Sequence, residues 1–144
     1  MPEAQSFKNH AKIVPPFHFF VIPMLLVNFV THVVHAVRHV GTASILDALT
    51  ALALLMVPLF ARMFALKVQD RVIRLEMRLR LQEVLPPDLR TRIAEFTPDQ
   101  LIGLRFASDA ELPDLGRKVL TDRITARKPI KMLIKNWQGD YLRA

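Results

Sequence analysis

Apolar positions dominate two long stretches of this chain and then give way to a charged, helically periodic region. The first stretch runs from Phe17 to Val37, about 21 predominantly apolar residues. At a rise of about 1.5 Å per residue it crosses a hydrocarbon core of roughly 30 Å. The second runs from Ala48 to Leu66 and passes without Gly or Pro into KVQDRVIRLEMRLRLQEVL. This continuity predicts one long helix from Leu46 to Leu85 that leaves a lipid bilayer and carries on into water. The intervening residues from Val40 to Asp47 are few and contain Gly41, which suits a tight turn between antiparallel helices.

Each apolar stretch holds one proline, Pro23 and Pro58. A proline inside a helix leaves the carbonyl four residues back without its donor, here Phe19 and Leu54, and lipid cannot supply another. Beyond Leu66 the apolar positions Val68, Val72, Leu75 and Leu79 repeat with spacing 4, 3, 4, a seam of two heptads. It is expected to pack against the C-terminal helices, with a copy of itself as the alternative. Asp70 with Arg74 and Glu76 with Arg80 stand at i, i+4 and are expected to pair, while Lys67, Arg71, Arg74 and Arg78 form a basic row.

Leu85-Pro86-Pro87 ends the long helix, because the residue before proline is pushed out of the α region. Short helices follow, each with a start signal. Asp88 can cap a helix from Leu89 to Glu95. Thr97-Pro98-Asp99-Gln100 has the form of a capping box with proline at the first helical position, and Ser108-Asp109-Ala110-Glu111 repeats the box. Pro113 marks the start of a helix through Leu120. Thr125 is expected to cap a last helix from Ala126 to about Leu142, with Ile130, Leu133, Ile134, Trp137 and Tyr141 on one face. No segment alternates with period two for long enough to be a strand. The expected fold is therefore all-α: a two-span transmembrane hairpin, its second span extended as a cytoplasmic helix, followed by a bundle of short amphipathic helices. The boundaries are 1–16 for an N-terminal segment, 17–66 for the hairpin (spans 17–37 and 48–66), 67–85 for the extension and 86–144 for a basic helical module.

Charge sharpens this division. Of 20 basic and 13 acidic residues, 17 and 11 follow Ala61, so +6 of the net +7 lies in the second part. Beside a membrane hairpin, anionic lipid headgroups are the simplest partner for it. Lys and Arg near the membrane ends also set orientation. The connecting loop has Arg38 alone, whereas the other side has Lys8, Lys12, Arg62, Lys67, Arg71 and Arg74, which puts both termini in the cytoplasm. Arg62 lies close enough to the exit of its span to snorkel. A cleavable leader competes for the first stretch, since Lys8 and Lys12 precede it and Gly41-Thr42-Ala43 is a small-x-small site. The run is longer than a leader core of about 7 to 15 residues and contains Asn28, His32 and His35, so a retained span is expected.

Several blocks resemble an uncharacterised family of short bacterial inner-membrane proteins, known only as a domain of unknown function. They are Ser6-Phe7-Lys8-Asn9-His10, the run Phe64 to Glu76 (FALKVQDRVIRLE), Leu104 to Leu112 (LRFASDAEL), and the end from Ile130 through Asn136-Trp137, Asp140-Tyr141 and Arg143. The resemblance is spread over nearly the whole chain, and its second block is the most distinctive. It implies a two-span protein of the bacterial inner membrane with a cytoplasmic helical tail, and brings no activity with it.

Candidate chemistry is confined to two places. All five histidines precede Val40, and Asn28, His32, His35 and His39 are spaced 4, 3, 4, a polar stripe on the first span with Thr31 beside it. Such a stripe is costly in lipid and is expected to hydrogen-bond to Thr50, to backbone carbonyls or to a neighbouring subunit. A sharper reading makes His32 or His35 an axial ligand of haem or bacteriochlorophyll; a three-histidine metal site would need a further ligand, with Asp47 nearby. The second place is the tail, where Lys128, Lys131 and Lys135 with Trp137 and Tyr141 describe either an amphipathic helix at the membrane interface or the core and solvated face of the small module. There is no recognition helix for nucleic acid. With no cysteine, no phosphate-binding glycine loop, no nucleophile elbow and no His-Glu-x-x-His, the chain is not expected to be an enzyme. The expected function is a non-enzymatic accessory or scaffold subunit of a larger membrane complex or homo-oligomer. A tetrapyrrole-binding subunit and a lipid-responsive regulator are the alternatives.

Overall fold

A computed structural model describes residues 5–7, 9 and 13–141, and every regular element among them is a helix. The chain divides into two units, Lys12–Leu66 and Met1–Ala11 with Lys67–Ala144.

In the first unit a π-helical turn, Pro16–Val21, leads into α1, Ile22–Arg38. The π turn sits where Pro23 would otherwise press its ring on the carbonyl of Phe19. The ladder shifts by one residue there, with the Ile22 N–H donating to Phe17 O, five positions back. Helix α2, Thr42–Val84, is continuous through Pro58 and bridges the expected span and its extension. Between α1 and α2, Ser44 Oγ donates to His39 O (2.6 Å) and Gly41 O (2.9 Å), closing the short turn. Pro16–Arg38 and Thr42–Val84 are both long and apolar enough to cross a membrane. Their apolar side chains stand largely exposed, Val27 at 63% and Val57 at 62% among them.

The second unit has a closed core. Ile73, Met77 and Leu81 of α2, with Leu85 just past its end, form one row at i, i+4 and are buried against Leu89, Ile93, Phe96, Leu101, Leu104, Leu112, Val119 and Ile130. Each fully buried leucine is worth about 1.5–3 kcal/mol. Helix α2 stops at Val84 just ahead of the two prolines, as expected. The Leu89–Glu95 helix is instead split into α3, Pro87–Arg90, and a 3-10 turn, Ile93–Glu95; Asp88 does not cap it but pairs with Arg117. Helix α4, Pro98–Leu104, carries the full capping box: Gln100 N donates to Thr97 Oγ1 and Thr97 N to Gln100 Oε1. The buried Gln100 amide also donates to Ile124 O, so its polar end is satisfied. Helix α4 packs on α5, Leu112–Thr121, and more extensively on α6, Arg127–Leu133. Gly103 permits the closer approach, because a Cβ there would stand 3.0 Å from Ile130 Cγ2.

Three start or stop signals are overridden. The second capping box is absent, since the Glu111 carboxylate accepts instead from the N–H groups of Lys135 and Asn136. Thr125 does not cap α6, whose N-cap is Ala126. Helix α6 ends at Leu133 rather than Leu142, because the next residues pair with 106–108: Ser108 N donates to Asn136 O and Gln138 N to Phe106 O, an isolated antiparallel bridge between Ala107 and Trp137.

Candidate functional site

On α1, Asn28, Thr31, His35 and His39 are exposed and His32 is half-buried. The expected tie to α2 is not made by the hydroxyls, since Thr31 Oγ1 donates to Val27 O and Thr50 Oγ1 to Leu46 O, each four residues back on its own helix. The His35 and His39 rings lie 4.8 Å apart, tilted by 40°. Among the described residues no three His, Asp or Glu side chains are gathered closely enough to hold a metal ion. Two helical turns, about 10 Å of axial rise, separate His32 from His39 and explain why shared facing does not become shared ligation. The stripe thus offers hydrogen-bonding groups in a row rather than a pocket.

On α2 the face expected to be inside is outside. Val68, Val72, Leu75 and Leu79 are 61, 48, 62 and 55% exposed, while the row one step round the helix forms the core. Lys67, Arg71 and Arg78 are exposed beside them, and Arg62 and Arg74 are half-buried. The two expected i, i+4 pairs also give way to longer-range partners. Asp70 pairs with Arg127 at 2.9 Å and Arg80 with Asp109 at 2.7 Å. A charged hydrogen bond to a second element adds tertiary constraint that a pair within one helix cannot.

These arginines are the structural residues that spacing did not reveal. The Arg80 guanidinium donates to Asp109 Oδ1, Arg105 O, Ala107 O and Gln138 Oε1, which ties α2 to the turn after α4 and to the tail. Arg127 bridges Asp99 and Asp70. Partial burial opposes its charge, but the hydrogen bonds it donates to both carboxylates outweigh that and raise its pKa. Arg117 at 2.8 Å holds the Asp88 carboxyl below its ordinary value, chiefly through the hydrogen bond, and Arg92 does the same for Glu95.

The tail residues separate. Trp137 stacks on buried Phe106, ring centroids 4.4 Å apart and nearly parallel, and Lys131 Nζ stands 4.9 Å from the Phe106 centroid. Trp137 therefore belongs to the module's packing and not to a membrane-facing helix. Tyr141 is 70% exposed and its hydroxyl accepts from Gln5 N, while Gln5 and Asp140 exchange two further hydrogen bonds. Lys128 and Lys135 are exposed. A helix running on through Trp137 to Tyr141, as the interface reading required, is not formed, since α6 ends at Leu133 and residues 134–141 are not helical.

The chain belongs to a family of unknown function (DUF6526), whose match covers residues 1–144. No curated protein and no solved structure matches it.

Proposed function

We propose that this protein is a non-enzymatic scaffold of the bacterial inner membrane. In this reading α1 and the first part of α2 cross the bilayer as an antiparallel pair. The compact module of residues 67–144 then stands in the cytoplasm, and the protein docks a larger membrane complex through the polar stripe of α1 and the basic cytoplasmic tail. One observation carries the reading: the apolar surface of residues 13–66 is left bare, while the other unit buries a core of its own from Ile73 to Ile130. An apolar surface of that extent is stable in lipid or against another membrane protein, not in water. The asymmetry of Lys and Arg about the two spans supports cytoplasmic termini.

The chain has no cysteine, so single replacements map topology cleanly. Val40→Cys, in the turn, should react with a membrane-impermeant thiol reagent in intact cells, and Asp114→Cys only after permeabilisation. Labelling of Asp114→Cys in intact cells, or recovery of the chain in the soluble fraction without detergent, overturns the reading. Gentle solubilisation should then recover a stoichiometric membrane partner. A haem or bacteriochlorophyll absorption band that disappears in His32→Leu or His35→Leu would replace the scaffold by a pigment-binding subunit.

A further inference from the structure

Beyond the scaffold reading, and independent of it, stands the bare row Val68, Val72, Leu75 and Leu79. We propose that this row is the seam of a parallel two-stranded coiled coil, and that its occupant is the same row of a second copy of this chain. The 4, 3, 4 spacing assigns Val72 and Leu79 to heptad positions a, and Val68 and Leu75 to d. A repeat of 3.5 residues is the condition under which a helix keeps one seam against another helix. Valine at a followed by leucine at d favours two strands, an order kept by Val72 and Leu75 and reversed at Val68 and Leu79.

Charge selects both the partner and its direction. In this register Arg71 and Arg78 occupy g, and Glu76 and Glu83 occupy e. A parallel dimer sets each g residue against the e residue five positions later on the other chain, so Arg71 meets the partner's Glu76 and Arg78 meets the partner's Glu83. An antiparallel dimer sets g against g and e against e, arginine against arginine and glutamate against glutamate. All four charges are available, because the ion pairs of the described residues use other side chains, and Arg80, the expected mate of Glu76, is engaged by Asp109. The surface also has relief for knobs to enter: Val68, Val72 and Leu75 with Arg71, Arg74 and Arg78 line an open groove of about 390 Å³. Anionic lipid would suit the arginines, but Glu76 and Glu83 flank the same row and would face the phosphates.

The test uses the full-length chain in mild detergent and in liposomes of neutral lipid. With no native cysteine, Val72→Cys, Leu75→Cys and Leu79→Cys are each expected to give disulfide-linked dimers on mild oxidation, since facing a and d positions approach within the roughly 7 Å between Cα atoms that a disulfide allows. Asp114→Cys, exposed on α5, is expected to stay monomeric; equal cross-linking there would mean random collision and overturn the proposal. On the Leu75→Cys background, Arg71→Glu with Arg78→Glu should abolish the cross-link, and adding Glu76→Arg with Glu83→Arg should restore it. None of these side chains lies in the core, so the fold is preserved. An unchanged yield after the first exchange, or no recovery after the second, overturns the parallel register. Loss of the cross-link on adding anionic lipid would assign the row to headgroups instead.

Discussion

After residue 67, helix α2 bears two apolar rows of similar make-up and opposite fate. Ile73, Met77, Leu81 and Leu85 are at most 4% exposed, while Val68, Val72, Leu75 and Leu79 are about half exposed or more. Composition does not separate them, since both are built of large aliphatic side chains. Spacing does. The buried row steps by four throughout and runs obliquely round the helix, and it shares one core with Leu89, Leu101, Leu112, Val119 and Ile130 of the short elements α3 to α6. The bare row steps 4, 3, 4 and runs nearly straight, the geometry for another long helix. A helix with two apolar faces is therefore built for two kinds of neighbour, one supplied by its own chain.

The comparison can be broken first at its strongest point. Leu81 is fully buried, and Leu81→Ala should cost about 2–5 kcal/mol of module stability, read from denaturant unfolding followed by the fluorescence of the single tryptophan, Trp137. Arg80→Ala removes a guanidinium that bonds to two backbone carbonyls, an amide and a carboxylate, and should cost about 1.5–3 kcal/mol in the same titration. The mirror substitution on the bare row, Leu75→Ala, measured at protein concentrations low enough to keep the chain monomeric, should change module stability by less than about 0.5 kcal/mol. A loss as large as that of Leu81→Ala would show that the row is covered within the chain.

The smallest effect is in acid. Asp88 and Glu95 have pKa values lowered in the folded state by Arg117 and Arg92, so their stabilising contribution is present above the unfolded carboxylate values and fades as pH falls through the lowered ones. Both pairs are exposed, so a unfolding midpoint flat from neutral pH down to about 4, with a slight decline below it, is expected. A steep decline would overturn the assignment to these two exposed pairs.

Much of the fold was legible from the chain alone, and the parts that were not share one cause. Length and hydropathy are one-dimensional, so the helix through residue 84, its stop at the prolines, and the Thr97 box were readable. Periodicity reports that a face is apolar but not what it meets, and the 4, 3, 4 row was the more regular of two candidates for the inside. Side chains with distant partners were invisible for the same reason: Glu111 had the spacing of a capping box until Lys135 and Asn136 arrived from 24 and 25 residues away. Trp137 could be read as lipid-facing or as core because nothing local announces Phe106. Of the candidate site, His35 and His39 stand together, whereas the hydroxyls of Thr31 and Thr50 bond within their own helices.

The four-way grip of Arg80 also acts as a rotational stop. Successive residues of a helix point about 100° apart, so turning α2 by even a fraction of that angle pulls the guanidinium off Asp109, Gln138 and the carbonyls of Arg105 and Ala107 together. The azimuth of the helix within the module is thereby set, and the bearing on which Val72 and Leu75 look outward is decided by contacts they never touch.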